Sequence, residues 1–219
     1  MSVRFPDLPS CMRDLPVDHR GFPVPWFVAW VDGEPQFPVA DGRKFGLAQR
    51  QDRCWVCGGK LGRIKAFVIG PMCAVNRVSS EPPSHLECAR FSARRCPFLS
   101  QPRMKRVGEK NLPHGINQPA GTMIKRNPGV ALVYLSLGYS SFGDGRGGTL
   151  FDIGKPHAVE WYAEGREATR AEVLASIDSG MPLLASQCDR DSDPAAARAQ
   201  LGRMHVAALT LVPADQVAA

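Results

Sequence analysis

The stretch from Arg53 to Gly62, RCWVCGGKLG, decides how the chain is read. Cys54 and Cys57 have two residues between them, and Gly58 and Gly59 follow at once. A C-x-x-C pair on a tight turn can aim two thiolates at one ion, and the glycines let the backbone make that turn. Tetrahedral zinc needs two more ligands, for which thiolate and imidazole suit it best. The segment SHLEC, Ser84 to Cys88, supplies a candidate pair in His85 and Cys88. A helix is expected to begin near Ser84, with Ser84 and Glu87 in capping-box spacing. At a separation of three, His85 and Cys88 share one side of its first turn. The helix N-terminus also favours the negative charge of a thiolate.

This order resembles the treble-clef group of zinc folds over residues 53–96. CWVCG matches the knuckle, KLGRIKAFVIGPMCAVNRV the β-hairpin, and SHLECARFSARR the helix whose first turn carries the second pair. The resemblance implies Cys54, Cys57, His85 and Cys88 as ligands of a structural zinc ion. Cys73 and Cys96 are left as spares, either able to replace His85 if the helix starts elsewhere.

The rest of the composition bounds the reading. The chain has 219 residues and is 44% hydrophobic, enough for a core. No apolar run approaches the ~18 residues of a membrane span, and the first residues lack the apolar stretch of a signal peptide. The expected location is therefore the cytoplasm. Seven cysteines, five of them between Cys54 and Cys96, fit metal binding in a reducing compartment better than a disulfide framework. Cys11 and Cys188 lie far from that cluster in sequence and read as ordinary thiols. The net charge of +6 is uneven, with +8 over residues 1–110 and −2 over residues 111–219. Basic excess is a footprint of nucleic-acid binders. Arg90, Arg94, Arg95, Arg103, Lys105 and Arg106 form the candidate strip for DNA or RNA.

Along the chain, VPWFVAWVDGEPQFPVAD predicts a hairpin turning at Asp32-Gly33. GRKFGLAQRQDR predicts a short helix and KAFVIG a strand. Residues 101–128 read as a linker or long loop. Two strands are expected in GVALVYLSLG and GTLFDIG, joined by a mobile YSSFGDGRGG. PHAVEWYAEG suggests a helix opened by Pro156. TRAEVLASIDSG suggests another, capped by Thr169 and Glu172 and stopped at Gly180. DPAAARAQLGRMHVAALTLVP gives a last helix, capped by Asp193, with Leu201, Met204, Ala208 and Leu211 on one face. The four tryptophans read as core or contact residues.

The expected class is therefore α+β. Residues 1–100 hold a β-hairpin and a treble-clef-like zinc region, and residues 129–219 form an α+β C-terminal region. The expected function is binding, with zinc supporting the fold and nucleic acid as partner, as in a small regulatory or accessory protein of phage or mobile-element type. A protein-interaction adaptor is the alternative. Enzyme readings come third. Nucleases of the HNH branch need further histidines, and residues 58–96 offer only His85. The H-x-E of zinc deaminases matches His85-Leu86-Glu87, but a four-ligand site leaves no position for the reacting water.

Overall fold

The computed structural model describes residues 5–103, 120–121 and 127–215. Most of the expected linker at 101–128 falls outside them, as do Lys105 and Arg106.

The first hairpin forms where the sequence places it. Strands β1 (Val28–Val31) and β2 (Glu34–Ala40) are antiparallel, with Val31 opposite Glu34. Asp32 and Gly33 both have positive φ, 50° and 80°, as a tight hairpin turn requires. Helix α1 (Gly42–Gln51) follows, with the Asp41 carboxylate accepting the Arg43 amide at its N-terminus. Phe27 stacks on Trp55 at 4.8 Å and Phe45 of α1 meets the same ring edge-on at 5.6 Å. These rings join the hairpin, α1 and the C-x-x-C turn.

The next segment departs from expectation. β3 (Lys65–Ile69) does not turn back into a hairpin. Pro71 at a helix N-terminus instead starts α2 (Pro71–Asn76), and Arg77 leaves it in the left-handed region before the two-residue β4 (Val78–Ser79). Ser84 meets β3 in an isolated antiparallel bridge with Ala66. Both backbone groups of Ser84 are used there, its amide donating to the Ala66 carbonyl at 2.7 Å and its carbonyl accepting in return at 3.0 Å. Helix α3 (Leu86–Arg95) consequently has His85, not Ser84, as its N-cap, and no side chain caps it. Cys96 turns the chain into α4 (Pro97–Ser100).

β3 pairs antiparallel with β5 (Val130–Ser136), so one sheet takes strands from both sides of the expected linker. β6 (Ser140–Gly143) and β7 (Thr149–Asp152) form a hairpin that joins β4 in a second sheet, order β4-β7-β6. Its turn is ordered by Asp144, whose carboxylate accepts the amides of Arg146 and Gly148 at 2.8 Å each and of Gly121 at 3.2 Å. The connecting stretch YSSFGDGRGG thus contains a strand of its own, β6.

PHAVEWYAEG is a strand, not a helix. β8 (Ala158–Ala163) lies between β5 and β9 (Arg166–Glu167) in the main sheet, order β3-β5-β8-β9. Val159, Trp161 and Tyr162 favour the pleat, and Glu164 and Gly165 turn the chain back with positive φ. Helix α5 (Arg170–Cys188) has the full Thr169–Glu172 capping box. It does not stop at Gly180, which is buried within it, and it continues past Pro182. Helix α6 (Pro194–Leu209) starts at Asp193, whose side chain accepts the Ala196 amide.

Every residue of β5 is buried, because the main sheet is covered on both faces. On one face Phe67, Leu132, Tyr134 and Trp161 pack with Val75 of α2, Val173 and Ile177 of α5 and Ala208 of α6. On the other, Ala66, Val133, Leu135 and Tyr162 pack against Ala89 and Ala93 of α3. These small residues let the helix approach the sheet closely. Trp55 and Trp161 are core residues, whereas Trp30 is exposed on the hairpin.

An ion pair ties α3 to β8. Arg90 donates to both Glu160 oxygens, and Tyr162 donates its hydroxyl to the same carboxylate at 2.8 Å. Hydrogen bonding from Arg90 holds the Glu160 carboxyl below its ordinary range, against the opposing effect of burial. A depressed folded value gives stability that is present above the unfolded pKa, near 4.3, and lost as pH falls through the folded value. Glu160→Gln should remove that part of the acid dependence. The side chains are partly exposed, so the loss should be about 1 kcal/mol near neutral pH in urea titrations.

Candidate metal centre

The C-x-x-C turn is built as its glycines suggest. Gly58 has a φ of +76°, and a Cβ there would lie 2.7–2.9 Å from the Trp26 ring. Cys54 accepts the Cys57 amide on Sγ at 3.4 Å, and the Gly58 amide returns to the Cys54 carbonyl at 2.8 Å. Gly58→Ala should therefore cost more than the ~1–2 kcal/mol of a left-handed alanine, since the indole must also move. Thermal melts of the variant and the parent would measure that cost.

Helix α3 brings the second pair to this turn. The His85 amide donates to Cys54 Sγ at 3.3 Å, and His85 Nδ1 lies 3.3 Å from Cys57 Sγ and 4.0 Å from Cys88 Sγ. His85 Nε2 is 2.9 Å from the Lys60 carbonyl. A carbonyl can only accept, so Nε2 carries the proton there. In the neutral ring Nδ1 then presents its lone pair to the sulfurs, as the partner of a metal-binding histidine commonly arranges.

A further donor arrives from the N-terminal arm. Cys11, in a single 3-10 turn at Ser10–Met12, places Sγ 3.4 Å from Cys88 Sγ. The donor atoms of Cys11, Cys57, His85 and Cys88 all lie within 4.8 Å of one another and could hold a metal ion. A tetrahedron with zinc–sulfur bonds of about 2.3 Å has sulfur–sulfur edges near ~3.8 Å, so this spacing fits. Leu8 and Met12 anchor the arm among Cys54, Val56, Leu61, Cys88 and Phe91. Phe5 packs on Phe91, and Arg95 pairs with Asp7 at 2.9 Å.

The expected set therefore meets a rival. Cys57, His85 and Cys88 belong to both, and Cys11 and Cys54 are alternative fourth donors. Sequence spacing could not find Cys11, because 77 residues separate it from Cys88. Cys73 packs against the main core from α2, Cys96 joins α3 to α4, and Cys188 ends α5 with its thiol on the Leu184 carbonyl. None of these three is in the cluster among the described residues.

The thiols perturb one another strongly. Hydrogen bonds from the Cys57 and Cys88 thiols, with the Cys57 and His85 amides, hold the Cys54 thiol far below its ordinary range. The bond to Cys54 pushes Cys57 up to about 12, and bonds to Cys54 and Cys57 push Cys88 higher still. A cation among the sulfurs would relieve that mutual opposition.

The basic strip is partly consumed by the fold. Arg90 is committed to Glu160 and Arg95 to Asp7, and Arg94 lies over the Tyr162 ring at 5.4 Å. Arg103 is exposed.

No known protein family, curated protein or solved structure matches this chain. Among the described residues, no helix is long and apolar enough to cross a membrane.

Proposed function

We propose that this is a zinc-stabilised binding protein, with the Cys/His cluster as a closed structural centre. The carrying observation is the convergence of Cys11, Cys57, His85 and Cys88, with His85 oriented by the Lys60 carbonyl. Thiolate and imidazole donors select zinc over harder ions. Elemental analysis of reduced, tag-free protein tests the assignment, and protein free of zinc would overturn it. The knuckle, the Ala66–Ser84 bridge and α3 support a treble-clef arrangement with α2 and β4 inserted into its hairpin. A closed set of donors leaves no position for a reacting water, which disfavours the enzyme readings.

The proposed partner is nucleic acid, and the basic excess of the first half supports it. Arg94, Arg103, Lys105 and Arg106 are the contact candidates, since Arg90 and Arg95 have internal acids. If about four phosphates are contacted, log affinity should fall with log salt at a slope near −3 to −4. Replacing these four by Ala should flatten the slope. Arg90→Ala should lower stability and leave the slope unchanged. Anisotropy titrations with duplex and single-stranded DNA and RNA at low salt decide the matter, and absence of binding at micromolar protein would sink this partner class. The adaptor reading then takes over, supported by Trp30 and Val31, which are 45% and 36% exposed beside the hairpin turn.

A further inference from the structure

We propose that Cys11 and Cys88 form a peroxide-responsive pair whose oxidation releases the metal, an inference that rests on the metal centre proposed above. Four donors converge, the Cys54 thiol stands beside them bonded to Cys57 and Cys88, and these thiols differ in access. Cys54 and Cys88 are both 0% exposed, whereas Cys11 is exposed. A small oxidant from solvent therefore meets Cys11 first. Its sulfur already lies 3.4 Å from Cys88, so little movement is needed for a bond.

The two partners are held differently. Cys88 sits in the first turns of α3 against the main sheet. Cys11 sits on the arm, held there by Leu8, Met12, Phe5 and the Asp7–Arg95 pair rather than by the metal alone. The arm therefore keeps the thiols close once the ion leaves.

The reaction balances with hydrogen peroxide as oxidant. The Cys11 thiolate attacks one peroxide oxygen, the O–O bond breaks, and Cys11 becomes a sulfenic acid while the departing hydroxide takes a proton to give water. The Cys88 thiolate then attacks the Cys11 sulfur. The S–S bond forms, the S–O bond breaks, and a second hydroxide leaves and is protonated to water. Each sulfur loses one electron and the peroxide gains two. Cys54, Cys57 and His85 remain, two thiolate donors are lost at once, and the weakened site gives up its ion to the chelator. A dithiol reductant reverses the bond by exchange and lets the metal return.

The test uses zinc-loaded full-length protein with hydrogen peroxide and a chromogenic zinc chelator, followed by non-reducing peptide mapping. Zinc release should track a linked Cys11–Cys88 peptide two hydrogens lighter than its parts, and dithiothreitol with added zinc should restore the starting state. Measured as the excess over a peroxide-free control with the same chelator, peroxide-dependent zinc release should be severalfold slower in Cys11→Ser, while Cys188→Ser should match the parent. Cys11→Ser showing the parent's peroxide-dependent release would overturn the inference. So would a map of the oxidised parent showing Cys54–Cys57 as the bond, a measurement that does not depend on any variant. Failure of the metal reading is separately visible, because reduced protein would then carry no zinc before any peroxide is added.

Discussion

On the proposed zinc centre, a strong chelator should melt the region around the C-x-x-C turn and release about one ion per chain. The reason lies in what surrounds the sulfurs. Leu8, Met12, Val56, Leu61 and Phe91 form a small apolar cluster with Cys54 and Cys88 at its centre. The free energy of structural zinc in small fingers, about 10–16 kcal/mol at neutral pH, is as large as the total stability of a whole domain, about 5–15 kcal/mol. Cys57→Ala or Cys88→Ala should therefore lose the metal, since both candidate donor sets need these residues. Cys11→Ala and Cys54→Ala each leave one candidate donor set whole and should keep the metal, bound more weakly. The double variant should lose zinc outright. Bound thiolates compete with protons, so zinc occupancy should also fall as pH is lowered. Calorimetry with and without chelator, paired with zinc analysis, checks each statement. A melt unchanged by complete zinc removal would contradict the structural role.

The legibility of this fold in the sequence was uneven, for physical reasons. Features set by a few neighbouring residues could be read. The Asp32-Gly33 turn, the Asp41 and Asp193 caps and the Thr169–Glu172 capping box are local chemistry. So was the meeting of Cys57, His85 and Cys88, because a knuckle and a helix start each present their pair independently. What escaped depended on distant partners. Cys11 reaches the site only because Leu8 and Met12 find an apolar socket beside it. Ser84 has the chemistry of a cap, but its backbone is taken by Ala66. Gly180 is a stop signal overridden by the packing of α5 against α2 and α6. The arginines of α3 look like a phosphate-binding row until Glu160 and Asp7 come to meet them.

The misread β8 carries the second large expected effect. Val159, Trp161 and Tyr162 could satisfy either a helix or a strand when seen alone, and β5 beside them decides the outcome. Leu132 stands opposite Trp161 in the pairing, and Trp161 is only 4% exposed. Its ring packs into the main core and its Nε1 donates to the Leu211 carbonyl at 2.8 Å. That bond fixes the chain just beyond α6 to the sheet. Trp161→Ala should remove the ring and the bond together, leaving a cavity and an unpaired carbonyl, at a cost of about 3–5 kcal/mol. Trp161→Phe keeps much of the packing and loses the bond, so its cost should be smaller. Urea titrations of both variants give the comparison. Had residues 156–165 formed a surface helix, neither substitution would cost much, so a cost below ~1 kcal/mol for Trp161→Ala would reject the buried strand. The zinc content of Trp161→Phe should equal the parent's, because the metal centre packs in a separate cluster from the Trp161 core.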